Sequence, residues 1–202
     1  MKQKIDLIYN CAMRTYGTVN LNALWFLIAV NALIFVITLV RPAEVAGSLG
    51  LTPALLSQQP WTIISSMFVH GSFTHILFNM IGLYFLGSFL IRAVGERSFL
   101  VVFFLGGLAG NVLFILLADP FSTAVGASGA IYALGGALAI LVPRAPVLIF
   151  PIPVPIPLWA AILIFLLLSF LPGIAWQAHL GGLFLGLVAG LVLRRRRRVY
   201  DF

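Results

Sequence analysis

Charged residues are scarce in this sequence: they make up 8% of its 202 residues, whereas about a quarter of the residues of a soluble domain are charged. Hydrophobic residues make up 62%, a share that excludes an ordinary soluble globular domain. Five long stretches contain no charge at all, namely residues 15–40, 45–91, 98–118, 120–143 and 145–193. A membrane-spanning helix needs about 20 apolar residues, so these stretches have room for several spans.

Cysteine is nearly absent as well. The one cysteine, Cys11, has no partner for an internal disulfide, and it gives little information about the redox compartment. The net charge of +7 does not indicate a nucleic-acid partner, because the basic residues are not spread over a soluble face and five of them form one run, Arg194 to Arg198. The expected partner of this chain is the lipid bilayer.

Apolar runs that break at charges, proline and glycine predict an all-α membrane protein with six spans. The predicted helices cover residues 21–40, 61–91, 98–118, 128–142, 157–171 and 177–193. The second is expected to be a short lead-in helix followed by a span from about Ser72. Leu171-Pro172-Gly173 divides the last uncharged stretch into two spans. Residues 143–157 contain six prolines and predict an extended connector at the membrane surface.

The basic residues predict the orientation of the chain. With the amino terminus in the cytoplasm, eleven of the twelve Lys and Arg residues lie on the cytoplasmic side and only Arg41 lies outside, as the positive-inside rule describes. We therefore expect a short cytoplasmic segment (residues 1–20), a six-span bundle (21–193) and a basic cytoplasmic tail (194–202). The first span lacks a cleavage site and is expected to be retained. The expected location is a prokaryotic plasma membrane, with both termini in the cytoplasm.

Polar residues gather at the starts of three spans that run in the same direction. Spans two, four and six all run from outside to inside, so their first residues lie at one depth. His70 and His75 lie at the start of span two with Asn79 one turn further on, Ser128 opens span four, and His179 opens span six. A single residue of this kind often serves only helix packing. Polar groups within a bilayer are costly, however, and several at one depth predict a functional site.

The residues that are missing narrow the chemistry of this site. All five acids lie at predicted loops or termini: Asp6, Glu44, Glu96, Asp119 and Asp201. This excludes an aspartyl protease and an acidic third member of a catalytic triad. A His-Glu-x-x-His zinc site needs histidines one turn apart, whereas His70 and His75 are separated by roughly 140° around a helix. Cys11 lies on the cytoplasmic side. A dyad remains, with Ser128 as nucleophile and His179 as general base, and no metal or other cofactor is expected.

Groups that stabilise an oxyanion are expected near Ser128. Ser128 and His179 both lie in the first turn of a helix, where unpaired N–H groups and the positive end of the helix dipole favour negative charge. His75 and Asn79 are four residues apart and share one helix face. They are placed to donate hydrogen bonds to a tetrahedral intermediate together with the Ser128 N–H.

Small residues predict a close approach of spans four and six. Gly182, Gly186 and Gly190 repeat every four residues, beginning three residues after the predicted base. Ser128, Tyr132 and Gly136 have the same spacing on span four. Stripes of small residues let helix backbones touch. Such spacings are common in membrane helices, and this pattern is informative here because both stripes begin at or near a candidate catalytic residue.

These residues resemble the motifs of the rhomboid intramembrane serine proteases. The resemblance extends from Trp61 to Gly190 and lies in three motifs: His70-x4-His75-x3-Asn79, Gly126-Ala127-Ser128-Gly129 with Tyr132, and Ala178-His179-x2-Gly182-x3-Gly186. It implies a six-helix rhomboid-like bundle, with Ser128 as nucleophile, His179 as base, and an oxyanion hole formed by His75, Asn79 and the Ser128 N–H.

The resemblance has further implications. Tyr132 is expected to pack against His179, and His70 to support the site less directly. The implied substrates are membrane-spanning proteins, single-span or polytopic, that are cut in or near their transmembrane segments. One departure is that Thr62 follows Trp61, where many members have arginine. This leaves open how the first outer loop is anchored.

Two other functions are compatible with this pattern. Some relatives in the wider superfamily bind membrane proteins without cutting them, but these usually lack the serine or the histidine. A transporter with His75 and His179 as a proton relay would need polar groups along a path to the cytoplasm. The inner halves of spans two, four and six are instead almost wholly apolar. The sequence therefore favours a serine endopeptidase, with substrate passing sideways by span five and the turn 171–176, although that turn is also compatible with an ordinary tight connection.

Overall fold

A computed structural model describes residues 20–148 and 154–200 of the chain. Its helices are α1 (Asn22–Val40), α2 (Pro42–Leu49), α3 (Thr62–Ser65), α4 (Phe73–Val94), α5 (Glu96–Leu117), α6 (Ser128–Leu141), α7 (Leu158–Leu168) and α8 (Trp176–Tyr200). Short 3-10 turns lie at Pro53–Leu55 and Ser66–Phe68. Strand β1 (Pro146–Val147) pairs antiparallel with β2 (Ile156–Pro157). The predicted segment 1–20 lies almost wholly outside the described residues.

The all-α membrane fold is confirmed. In the described part of the chain, α1, α4, α5 and α8 are long and apolar enough to cross a membrane, and α6 and α7 are shorter apolar helices. The core of the bundle contains large side chains from several of these helices, among them Leu24, Leu83, Phe99, Phe103 and Leu134, all fully buried. Large apolar side chains such as Phe26, Phe78 and Phe184 are exposed on the outside of the bundle, as lipid-facing residues are.

The chain enters α4 where the sequence predicts. Ser72 lies just before the helix, and its hydroxyl oxygen accepts a hydrogen bond from the backbone N–H of His75 at 3.1 Å, which is a standard helix cap. At the other end of α4, Gly95 has a φ of 87°, a left-handed conformation that glycine adopts without strain. Glu96 follows, and its Oε1 accepts a hydrogen bond from the backbone N–H of Ala23 at 2.8 Å. A carboxylate thereby neutralises the start of α1.

The helix α6 lies at the centre of the bundle, in contact with α4, α5, α7 and α8. It has 14 residues, which correspond to about 21 Å at 1.5 Å per residue. The apolar layer of a bilayer is about 30 Å thick. A helix of this length is therefore shorter than the apolar layer.

Backbone contacts join α6 to α8. A side chain at Gly182 would overlap the carbonyl oxygen of Gly129, and one at Gly186 would overlap that of Ala133. A Cβ at Gly136 would lie 2.7 Å from the carbonyl oxygen of Leu183. The predicted close approach of the two helices is therefore present. The α6 residues that oppose the α8 glycines are Gly129, Ala133 and Ala137, one position beyond the predicted stripe at Ser128 and Tyr132.

Several predicted helix ends differ from the structure: α4 ends at Val94 rather than at residue 91, and α5 begins at Glu96 rather than at residue 98. The α7 helix ends at Leu168 rather than at residue 171, because the amides of Phe170 and Leu171 bond three residues back, to Leu167 and Leu168, and this tightens the last turn. The α8 helix continues to Tyr200, through arginines that were expected to follow it. The predicted connector 143–157 begins and ends in the paired strands β1 and β2, while residues 149–153 lie outside the described residues.

We expect Gly186→Ala to lower the stability of the folded bundle. The added Cβ would overlap backbone rather than a movable side chain, and such overpacking typically costs about 1–3 kcal/mol. The matched control is Gly47→Ala, because Gly47 also lies in a helix and has no atom within 4 Å of its added Cβ. Thermal unfolding in detergent measures both. Equal melting temperatures for the two variants would contradict tight α6–α8 packing.

Candidate active site

Ser128 and His179 face each other across the α6–α8 contact. Ser128 Oγ lies 2.7 Å from Nε2 of His179. Ser128 is half-buried and His179 is 8% exposed, so most of the surface of the pair is covered by the protein. No side chain caps the start of α6, which leaves its first backbone N–H groups directed toward the site. A hydroxyl, an imidazole and a helix amino terminus therefore meet at one place.

The ring of His179 is held on two sides. The Tyr132 ring stacks on it, with the ring centroids 4.4 Å apart and the planes at 24°. Nδ1 of His179 lies 2.7 Å from Oγ of Ser169, and the Tyr132 hydroxyl lies 2.8 Å from the same oxygen. The orientation of the imidazole is thus fixed by one aromatic face and one hydrogen-bond partner.

Ser169 was not selected as a site residue from the sequence. The structure corrects this, because Ser169 is 2% exposed and is bonded to residues of both α6 and α8. A signal was present, since Ser169 is the one hydroxyl residue in the uncharged stretch 157–171. Its partners depend on how the helices pack, which spacing along the chain does not reveal.

His75 and Gly126 lie together next to Ser128. Gly126 has a φ of 121°, and a Cβ on it would lie 2.7 Å from Nε2 of His75 and 3.8 Å from Oγ of Ser128. Only glycine combines this backbone conformation with this close approach. The His75 ring therefore stands beside the serine hydroxyl.

Asn79 is buried one turn below His75. Its Nδ2 donates to the backbone carbonyl of His75 at 2.9 Å, and its Oδ1 is buried without a hydrogen-bond partner. An amide nitrogen has two N–H groups, so one remains after this bond. The structure places Asn79 on the same helix as His75 and records no direct bond from it to Ser128.

His70 lies behind His75 and is fully buried. The two rings meet edge to face, with their centroids 5.0 Å apart. Neither ring nitrogen of His70 has a partner in hydrogen-bond geometry, although the Phe68 backbone and Asn79 lie close enough to influence its pKa. Burial, followed by the neighbouring His75, lowers the pKa of His70 to about 4. His70 is therefore neutral at neutral pH and supports the His75 ring from behind.

A buried amide fixes the turn that precedes the serine. Asn111 of α5 donates from Nδ2 to the Ile63 carbonyl at 2.8 Å and to Oγ of Ser66 at 3.0 Å. The Ser66 carbonyl in turn accepts from the backbone N–H of Gly126 at 2.8 Å. A small cavity beside Ser128 is lined by Ser66, Asn111 and Gly126, among others. These polar groups, which the sequence analysis did not single out, tie α5 and the lead-in turn to the serine loop.

The lead-in segment is anchored without an arginine after Trp61. Nε1 of Trp61 donates to the Ser48 carbonyl at 2.8 Å. Thr62 is 1% exposed, and its hydroxyl donates to the Gln59 carbonyl at 2.7 Å. The residue that departs from the common family pattern is therefore a buried part of the turn.

Comparisons with known proteins agree on a family. The Rhomboid domain family model matches residues 57–196. RHOMBOID-like protein 12, mitochondrial, of Arabidopsis thaliana is 34% identical over 158 residues, covering 67% of this chain and 47% of that protein. Rhomboid protein 1, mitochondrial, of Saccharomyces cerevisiae is 30% identical over 148 residues, covering 64% and 40%. Rhomboid-like protease 3 of Toxoplasma gondii is 31% identical over 87 residues, covering 43% and 33%.

The chain spans less than half the length of each of these relatives. The family match, by contrast, includes all of α3 to α7 and most of α8, the part of the chain that carries Ser128, His179 and their neighbours. The helical fold and the family match lead to the same conclusion: the chain belongs to the rhomboid family.

Proposed function

We propose that this protein is an intramembrane serine endopeptidase, which hydrolyses peptide bonds in or near the transmembrane segments of membrane proteins. The observation that carries the proposal is the 2.7 Å approach of Ser128 Oγ to His179 Nε2 at the start of a buried helix. A serine hydroxyl is a weak nucleophile unless an adjacent base removes its proton. Rhomboid-like protease 3 of Toxoplasma gondii, one of the related proteins, is itself named a protease.

The reaction proceeds in two halves. Nε2 of His179 takes the proton of Ser128 as Oγ attacks the carbonyl carbon of the substrate. The carbon–nitrogen bond then breaks, and His179 passes the proton to the leaving amine, which leaves an ester on Ser128. Water attacks this ester, with His179 taking a proton from the water and returning it to Ser128 Oγ, and the new carboxyl terminus departs.

The oxyanion of each tetrahedral intermediate forms at the start of α6. The Ser128 N–H, the His75 ring and Asn79 are the donors that we assign to it. Support comes from the place of the His75 ring beside Gly126 and from the unused amide N–H of Asn79. Donors fixed before the reaction stabilise the developing charge without further reorganisation.

The hydrolytic water reaches Ser128 from the outer side of the membrane in this proposal. Support comes from the short α6, because a helix of about 21 Å that ends near one surface begins within the membrane. The basic residues at the ends of the chain predict that Ser128 lies nearer the outer surface, with both termini cytoplasmic. The prokaryotic plasma membrane remains a prediction, because the relatives described above are eukaryotic and two are mitochondrial by name.

The two other functions have less support. A non-proteolytic member of the family would have no need for a serine and a histidine in hydrogen-bond contact. A proton-coupled transporter would need polar groups that continue past the site toward the other surface, but the buried residues of α6 below Ser128 are glycine, alanine and leucine.

Three substitutions test the catalytic roles assigned to Ser128, His179 and Asn79. We expect Ser128→Ala and His179→Ala to reduce cleavage to background, because one removes the nucleophile and the other the base. Asn79→Ala should lower kcat by about 10- to 100-fold, less than the loss of a sole donor, since the remaining donors compensate in part. The measurement is cleavage of a single-span substrate by purified protein in detergent.

The control for Ser128→Ala is Ser88→Ala. Ser88 is also a buried serine in a helix, its hydroxyl has no partner among the described residues, and it lies 13 positions beyond His75, or about 20 Å along α4. This variant should cleave like the wild type. Wild-type cleavage by Ser128→Ala, in a preparation free of other proteases, would refute the proposed function.

Substrate reaches the site sideways, past α7, in this proposal. A transmembrane segment cannot leave the bilayer cheaply, so it must pass between helices. The α7 helix has only two buried residues, Leu158 and Ala161, both in its first turn. Its neighbour across the face of α6 is α4, because Ile162 of α7 and Leu86 of α4 both lie against Gly135.

A cross-link between α7 and α4 should block cleavage of a transmembrane substrate. We propose Leu86→Cys with Ile162→Cys, joined by a reducible bifunctional thiol reagent, in a chain that also carries Cys11→Ser. Cross-linking should abolish cleavage of the single-span substrate, and reduction of the linker should restore it. A soluble, unfolded substrate that arrives from water serves as control and should be cut in both states. Undiminished cleavage of the single-span substrate after complete cross-linking would refute access by this route.

A further inference from the structure

Ser169 is a buried polar residue that follows a wholly apolar helix. The preceding helix, Leu158–Leu168, contains no charged, hydroxyl or amide side chain, and several of its side chains are exposed, including Leu163, Phe165 and Leu167. Ser169 directly follows this helix and is 2% exposed. Ser169 therefore brings a hydroxyl group from the end of α7 into contact with His179.

The hydroxyl of Ser169 has three neighbours within hydrogen-bond distance. Oγ lies 3.0 Å from the Phe165 carbonyl oxygen, 2.8 Å from the Tyr132 hydroxyl and 2.7 Å from Nδ1 of His179. A serine hydroxyl offers one proton and two lone pairs. The Phe165 carbonyl can only accept, and its 3.0 Å contact with Oγ is a hydrogen bond only when the Ser169 hydroxyl donates its one proton there. The two lone pairs then accept from the Tyr132 O–H and from the His179 Nδ1–H, and every group is satisfied.

In this pattern the His179 proton is on Nδ1. A neutral imidazole carries its proton on one ring nitrogen and accepts on the other. With Nδ1 donating to Ser169, Nε2 has no proton and presents its lone pair to Ser128 Oγ, as a general base must. In the opposite tautomer Nε2 would donate to Ser128, and that histidine could not accept the serine proton.

We propose that Ser169 is a positioning residue of the reaction, whose hydroxyl oxygen accepts Nδ1–H of His179 and so holds Nε2 as the base that faces Ser128. The proposal rests on the proposed function. Ser169 acts through His179 and touches no reacting atom. It fills the place of the carboxylate in a serine protease triad by orienting the ring, but it brings no negative charge.

Apart from Ser128 on the Nε2 side, the described residues place no other hydrogen-bond acceptor at the His179 ring. The carboxylates of Glu44, Glu96 and Asp119 lie in helix ends and turns, and their bonds are to Arg41, Ala23 and Phe121. Tyr132 stacks on the ring face, which fixes the plane of the ring but leaves the choice of tautomer open. That choice depends on Ser169.

The direct test is the tautomer of His179, measured by nitrogen-15 NMR of protein labelled at histidine. The His179 signals are assigned by their loss in His179→Ala. We expect a protonated Nδ1 and an unprotonated Nε2 in the wild type and in Ser169→Thr, which keeps the hydroxyl. In Ser169→Ala we expect a mixture of both tautomers. An unchanged single tautomer in folded Ser169→Ala would overturn the proposal.

Kinetics provide the second readout. We expect Ser169→Ala to lower kcat by about 10- to 100-fold with a change in KM below about 3-fold, because orientation of the base affects the chemical step more than binding. Ser169→Thr should stay within about 3-fold of the wild type. Wild-type kcat in Ser169→Ala, or a loss only in KM, would contradict the positioning role. Ser88→Ala is again the matched control.

Two controls distinguish loss of the Ser169 role from misfolding and from failure of the Ser128–His179 dyad. Thermal unfolding in detergent checks that Ser169→Ala is folded; if it is not, Ser169→Cys takes its place, because a thiol has a similar size and accepts hydrogen bonds only weakly. Cleavage by Ser128→Ala would refute the proposed function as a whole. Loss of cleavage in Ser128→Ala together with full activity in Ser169→Ala would refute the positioning role alone.

Discussion

Direct backbone contact between α6 and α8 sets the distance between Ser128 and His179. Gly182 lies on the backbone of Gly129 and Gly186 on that of Ala133, so side chains do not separate the two helices. Ser128 is one residue before the first of these contacts on α6, and His179 is three residues before it on α8. The packing of the two backbones below them therefore holds Ser128 Oγ and His179 Nε2 at 2.7 Å.

The polar groups of the site form neutral hydrogen bonds within an apolar bundle. A buried carboxylate would require a compensating charge in the membrane, which is costly, and the described structure has hydroxyl and aromatic groups around His179 instead. Asn111 and Ser66 likewise form uncharged hydrogen bonds that hold the loop leading to Ser128. In this way a few uncharged side chains order the site, while the surfaces that face lipid remain apolar.

Much of this arrangement could be predicted from the sequence. The uncharged stretches predicted six apolar helices, and Ser72 predicted the start of α4. The shared depth of three helix starts predicted that Ser128, His179 and His75 lie close together. Ser169 could not be predicted as a site residue, because its role depends on the way α7 lies against α6 and α8. The end of α7 was also placed three residues too late, since its last turn tightens through local backbone bonds that leave no composition signal.

The central claim is that Ser128 is a nucleophile activated by His179, and covalent modification tests it most directly. Purified protein is treated with a serine-directed fluorophosphonate, the modified residue is identified by mass spectrometry, and cleavage of a single-span substrate is measured on the same samples. The account predicts one adduct, on Ser128, with cleavage falling in proportion to its formation and no adduct in His179→Ala. Full cleavage by protein whose Ser128 is completely modified would contradict it.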